Sequence, residues 1–132
     1  MHWRILTIGK PALPWAKAGA ADYLQRLQRT HQVEWRSLRD GTPAQVTERM
    51  LEASADCVRV VLDERGEAWR SLQWANWIRD QELHGVKRAA LLIGGANGHS
   101  DDLRAAADAI WSLSALTLQH EVALLVTLEQ LY

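Results

Sequence analysis

The chain has 132 residues, 48% hydrophobic and 23% charged, which excludes a disordered or fibrous class and suits one compact domain over residues 1–132 with a buried core. The single cysteine, Cys57, excludes a disulfide framework and reads as a buried thiol; no apolar run is long enough to span a membrane and residues 1–10 carry no leader core, so a cytoplasmic, non-membrane protein is expected. A formal net charge of -1 argues against a broad positive field for nucleic acid.

In chain order, short apolar runs alternate with stretches of helical period. Trp3 to Ile8 reads as a first strand, broken by Gly9-Lys10-Pro11 before a helix that starts through Pro14. Ala16, Ala20, Tyr23 and Leu27 line one face of that helix. Val33 to Leu38 is a second strand, and Thr42-Pro43 supplies a cap and a first helical residue. Val46 and Met50 mark the buried side. Cys57 to Leu62 is a strand covered on both faces. Asp63-Glu64-Arg65-Gly66 is expected to turn the chain away, and Ser71 to cap the next helix. Trp74, Trp77 and Ile78 recur at helical spacing there, and Gly85 ends it.

Ala89 to Ile93 is a fourth strand running into Gly94-Gly95-Ala96-Asn97-Gly98. Ser100 then caps a helix with Asp101 and Asp102 in its first turn, where the helix dipole favours negative charge. Leu103, Ala106, Ala107 and Ile110 form its apolar stripe. Trp111 to Leu116 reads as a fifth strand. Val122 to Leu131 is a last helix, apolar on nearly every side and therefore expected to be buried all round. Strands alternating with helices predict an α/β fold: a parallel sheet with helices on both faces.

Charge is unevenly spread. Residues 1–40 hold seven Lys or Arg (Arg4, Lys10, Lys17, Arg26, Arg29, Arg36, Arg39) against three acids, and the remainder eight against thirteen. A basic N-terminal third can meet phosphate or serve as a solvated face. In open α/β sheets ligands sit beyond the carboxyl ends of the strands, here the loops after Leu62, Ile93 and Leu116. Gly94, Gly95 and Gly98 let backbone approach a ligand without a Cβ in the way. The spacing is neither a dinucleotide fingerprint nor a P-loop.

The segments Leu91-Leu92-Ile93-Gly94-Gly95-Ala96-Asn97-Gly98 and Trp111-Ser112-Leu113-Ser114-Ala115-Leu116-Thr117-Leu118, followed by His120 and Glu129-Gln130-Leu131-Tyr132, resemble the signature of the ribosomal RNA large-subunit methyltransferase H family. Gly9-Lys10, Trp15, Asp22-Tyr23-Leu24, Leu62-Asp63, Gly66 and Ser71 extend the resemblance, whereas residues from about Thr30 to Ala55 match loosely. The resemblance implies a SPOUT-type α/β fold whose C-terminal part threads a trefoil knot, an exception to unknotted topology. It implies that Leu62, Gly94, Gly95, Ser114, Ala115, Leu116, Thr117, Leu118 and Gln119 hold S-adenosylmethionine, largely through main-chain hydrogen bonds to adenine, with no metal. Gly95→Val is then expected to abolish that binding. The activity implied is methylation at N3 of a pseudouridine in 23S ribosomal RNA, within the ribosome or large subunit, by a homodimer.

His120, the only histidine that matches a family histidine, is a candidate for meeting the N3 proton, with a structural cap as the other reading. His99 is expected to face solvent. The pattern departs at Gln119, where the family has proline, and at Leu124, where it has arginine; its Tyr-His-Arg or Tyr-His-Lys ending would follow Tyr132. Those departures keep open a knotted RNA- or ribosome-binding homologue without turnover. A flavodoxin-like redox protein is a third reading, and its visible absorbance is expected to be absent.

Overall fold

A computed structural model describes residues 1–9, 12–94, 98–114 and 116–132. Among these, β1 (His2–Ile8), β2 (Gln32–Leu38), β3 (Val58–Ala68), β4 (Arg88–Ile93) and β5 (Ala109–Ser112) alternate with α1 (Pro14–Gln28), α2 (Pro43–Ala53), α3 (Ser71–Leu83), α4 (Asp101–Ala105) and α5 (His120–Leu131). The strands form one parallel sheet in the order β2-β1-β4-β3-β5. All five carboxyl ends therefore lie along one edge.

The alternation of side chains along each strand builds two cores. Trp3, Ile5, Val60, Leu62, Leu91 and Ile93 pack beneath Ala20 and Leu27 of α1, Trp74 of α3, and Leu124 and Leu128 of α5. Leu6, Ile8, Val61, Ala90 and Leu92 point the other way, against Met50 of α2 and Leu103 of α4. Residues one apart thus serve opposite layers, and a continuous apolar run such as Leu91-Leu92-Ile93 is the consequence. Trp74 stacks on Trp111 at 4.4 Å and on Trp77 at 5.3 Å between ring centroids, with Trp3 at 5.7 Å and Trp69 at 5.8 Å.

Local signals set the helix starts. Thr42 Oγ1 accepts the Gln45 N–H at 3.2 Å while the Gln45 carboxamide accepts the Thr42 N–H at 3.0 Å, a reciprocal cap with Pro43 as first helical residue. Ser100 accepts the Leu103 N–H at 3.2 Å and shares a 2.7 Å hydroxyl bond with Thr47, tying α4 to α2. Gly85 follows the end of α3 at φ +81°, the left-handed conformation glycine adopts at little cost.

Several expectations fail, each for a tertiary reason. Residues 63–66 do not turn the chain away. β3 runs on to Ala68, and its pairing with β5 shifts register between Leu62 and Glu67, so that both residues face Trp111. Such a bulge bends a strand without ending it. Gly66 permits the close approach, since a Cβ there would lie 2.5 Å from the Ile110 carbonyl oxygen. β5 is Ala109–Ser112 rather than 111–116, because only that segment finds a neighbour in β3; Leu113 onward belongs to a loop. Ile110 accordingly leaves the α4 stripe for the sheet, and α4 shrinks to one short turn and a half. Arg70 occupies the cap position of α3, and Ser71 Oγ instead donates to the Gln130 carboxamide oxygen at 2.7 Å.

α5 is not buried all round within the chain. Glu121, Leu124, Thr127 and Leu128 are buried, whereas Val122, Leu125, Val126 and Leu131 are half-covered. Cys57 is likewise only half-buried, and burial pushes its thiol upward from the usual range. Among the described residues no helix is long and apolar enough to cross a membrane.

Candidate active site

At the carboxyl edge, the ends of β3 and β4 and the loop between β5 and α5 enclose a cleft of about 690 Å³, within the range of small-molecule sites. Leu62, Ile93, Leu113, Leu116, Leu118 and Ala123 form its apolar wall. Leu116 is 72% exposed at the mouth, an apolar group that a ligand would cover. The loop from β5 is folded by its own serines: Ser112 Oγ donates to the Ser114 carbonyl at 2.8 Å, and Ser114 Oγ accepts the Leu116 N–H at 3.0 Å. Gly94 and Gly98 bring two backbones together at the end of β4, and Gly98 takes φ +70°.

The opposite wall is polar. Asp63 receives the Arg65 guanidinium through Nε at 3.0 Å and Nη2 at 2.8 Å, and also the Arg65 N–H at 2.9 Å. That fork holds the Asp63 carboxyl down at about 2. A carboxylate lowered from 3.8 in the fold stabilises it above that value and loses the contribution as pH falls through about 2. Asp63→Asn is therefore expected to flatten the loss of stability between pH 5 and pH 2, measured by urea unfolding at each pH. Thr117 donates its hydroxyl to Glu64, linking the loop after β5 to the β3 bulge across the cleft mouth.

His99 does not face solvent. It lines the cleft, half-covered, and its Nε2 donates to the Leu92 carbonyl at 3.0 Å. Burial pulls its pKa below the usual histidine value. The imidazole reaches back to the end of β4, a contact that no local pattern announces.

A family model described as predicted SPOUT methyltransferase matches residues 1–132. Proteins named ribosomal RNA large subunit methyltransferase H are similar along the whole chain. That of Deinococcus deserti is 36% identical over 132 residues, covering 100% of this chain and 91% of its own length. That of Thermus thermophilus is 39% identical, covering 100% and 90%. The chain belongs to this family. Two solved structures share the fold: TrmJ from Z. mobilis ZM4, at TM-score 0.58 and 18% identity over 99% of this chain and 68% of that one, and the SpoU methyltransferase AviRb from Streptomyces viridochromogenes, in complex with the cofactor AdoMet, at 0.55 and 17% over 98% and 56%.

Of the residues that methyltransferase H similarity marked for a methyl donor, Leu62, Gly94, Ser114, Leu116, Thr117, Leu118 and Gln119 line this one cleft, although they come from three separate stretches of chain. Gly95 and Ala115 lie outside the described residues. His120 lines the same cleft as the first residue of α5, its Nε2 at 3.9 Å from Glu121 Oε1. Asp63, Glu64 and Arg65, expected as a turn in the loop after Leu62, and His99, expected in solvent, join the lining. The two departures from the family pattern have structural uses: the Gln119 carboxamide caps α5 by accepting the N–H groups of Glu121 at 2.9 Å and Val122 at 3.1 Å, and Leu124 is 2% exposed in the core. Among the described residues no cluster of metal ligands occurs.

The buried Glu121 carboxylate accepts the Ala12 N–H at 2.7 Å and the Leu13 N–H at 3.2 Å, fastening the start of α1 to the first turn of α5 beneath the cleft. Glu121→Ala leaves those donors unpaired and is expected to cost about 2–3 kcal/mol, read from chemical denaturation; a loss within 0.5 kcal/mol, on the order of a neutral surface change, would show that water replaces the carboxylate. The basic N-terminal third is only partly paired, with Lys17, Arg29 and Arg39 exposed. Arg4 is buried and bound to Glu34, Asp56 and the Ala53 carbonyl, Arg26 pairs with Asp22, and Arg36 with Glu34.

Proposed function

We propose that the cleft holds S-adenosylmethionine and that this protein is an S-adenosylmethionine-dependent methyltransferase of 23S ribosomal RNA, modifying N3 of a pseudouridine in the ribosome or large subunit. The observation that carries this reading is the convergence of the residues marked by family similarity on one cleft at the carboxyl edge, in a chain that matches methyltransferase H proteins end to end. The residues suit the donor. Leu62, Ile93, Leu116 and Leu118 offer flat apolar surface for an adenine ring, and Gly94, Gly98, Ser114 and residues 116–119 bring main chain to its edge. When bound, the donor supplies an electrophilic methyl on a sulfonium.

The chain itself has to orient the base, exclude water and deal with the N3 proton. Holding two reactants in line replaces translational entropy that a bimolecular reaction in water would lose, and positioning of this kind supplies most of the acceleration. His120 is the candidate for receiving the proton, since it lines the cleft beside the donor loop. Its test is the pH profile of His120→Gln.

The same reading takes residues 1–132 as one SPOUT domain with a C-terminal trefoil knot, working in the cytoplasm where ribosomes are. It also takes the protein as a homodimer. The half-covered Val122, Leu125 and Val126 of α5, together with Trp15 at 56% exposure and Tyr132 at 67%, leave apolar surface that a second copy would bury. Light scattering at micromolar concentration is expected to give twice the chain mass. The decisive experiment is transfer of labelled methyl from S-adenosylmethionine to unmodified large subunits, with label mapped to one pseudouridine. Donor binding without label would leave an RNA-binding homologue, and no donor binding would overturn the assignment of the cleft.

A further inference from the structure

Resting on that reading, we propose that Arg65 anchors a phosphodiester of the substrate RNA at the mouth of the cleft, and that Asp63 is the positioning residue that aims it. Among the described residues, Arg65 is the only lysine or arginine that lines the cleft. Its side chain is 54% exposed, while that of Asp63 is 6% exposed beneath it. Nε and Nη2 are both engaged by the carboxylate and the Arg65 N–H closes the same turn, so the guanidinium plane is fixed before any ligand arrives. Two of its five N–H groups are consumed; among the described residues Nη1 has no acceptor.

A guanidinium locked in this way has already lost the rotamer freedom that an ordinary surface arginine gives up on binding. Its outer edge matches the paired oxygens of a phosphate. The neighbouring Glu64 carboxylate accepts the Thr117 hydroxyl, which fixes its position at the loop after β5.

The exposure of Arg65 favours the RNA strand over the donor's own carboxylate as the source of the oxyanion. A strand presenting its base to the cleft passes over the mouth, whereas the donor lies within. Phosphate contacts set the register in which a base is offered, so a cation fixed at the cleft mouth bears directly on how the base is aligned.

The test uses the full chain with unmodified large ribosomal subunits, and S-adenosylhomocysteine as the donor-site probe. Arg65→Gln is expected to weaken equilibrium binding to subunits about tenfold and to lower the salt dependence by about one released counterion. Affinity for S-adenosylhomocysteine by calorimetry should stay within about twofold, a change of about 0.4 kcal/mol. Arg65→Lys keeps the charge and should retain the salt slope while losing part of the affinity. Asp63→Asn frees the guanidinium and should raise KM for subunits at constant kcat.

A fall in S-adenosylhomocysteine affinity with unchanged subunit binding would place the donor's carboxylate on Arg65 and overturn the proposal. Unchanged values in both assays would reduce the fork to a surface ion pair. Subunit binding is read without turnover, so a wild-type protein that transfers no methyl would defeat the proposed activity while the Arg65 comparison still decides the phosphate contact.

Discussion

Gly94→Val is expected to abolish binding of S-adenosylmethionine, with a loss of at least about 100-fold in affinity by calorimetry, or about 2.7 kcal/mol. A Cβ built at Gly94 would lie 3.0 Å from the Gly98 carbonyl carbon, 3.2 Å from its Cα and 3.3 Å from its oxygen. These neighbours are backbone, not the flexible end of a side chain, and Gly98 itself sits at φ +70°. The Gly98 backbone must give by a few tenths of an ångström to accept even a methyl group. Valine adds two more, which have only the turn or the cleft to enter, and either outcome moves the backbone that frames the ligand. Gly94→Ala should show a smaller loss, about tenfold, or about 1.4 kcal/mol. Because Gly94 belongs to neither core, the thermal midpoint and circular dichroism of both variants should stay close to wild type. Wild-type affinity in Gly94→Val would remove this turn from the donor site.

The largest expected effect on stability is at Trp74. It is 2% exposed and stacks against Trp111 and Trp77, so Trp74→Ala leaves a cavity that four neighbouring indoles can fill only in part. The expected cost is about 3–5 kcal/mol, and the thermal midpoint should fall by about 10–20 °C. Trp74→Phe should cost less than half as much. The Trp74 indole N–H is buried and has no partner among the described residues, so removing it recovers some of the desolvation that the native fold tolerates. Urea unfolding of the two variants measures what the retained ring contributes; equal losses would mean that a phenyl group recovers none of the packing. Trp111 stands at the end of β5, immediately before the cleft loop, so Trp74→Ala should also weaken donor binding.

Much of the candidate site was legible because it depends on local chemistry and on segment order. Glycine at 94 and 98 and the position of the loops after Leu62 and Ile93 place the site at the carboxyl edge before any packing is known, whereas the serines at 112 and 114 read as part of a strand. What sequence missed were the residues whose role arises from neighbours distant in the chain. His99 looked like a solvent residue because nothing nearby shows that its imidazole reaches the Leu92 carbonyl. Arg65 looked like part of a turn because a bulge leaves no periodic trace, and only the pairing of Leu62 and Glu67 with one Trp111 reveals it. Arg4 counted as a surface charge until burial, two carboxylates, a carbonyl and the Cys57 sulfur claimed it.

By itself, sequence determined the alternation of strands and helices, the caps at Thr42 and Ser100, the glycine stop at Gly85 and the parallel class of the sheet, because each follows from backbone geometry within a few residues or from period. Tertiary structure alone decided the order β2-β1-β4-β3-β5, the continuation of β3 past Asp63, the early end of β5 and the meeting of three loops in one cleft. A strand ends where its partner ends, and a cleft exists only where separate segments arrive together; neither property belongs to any one stretch of chain.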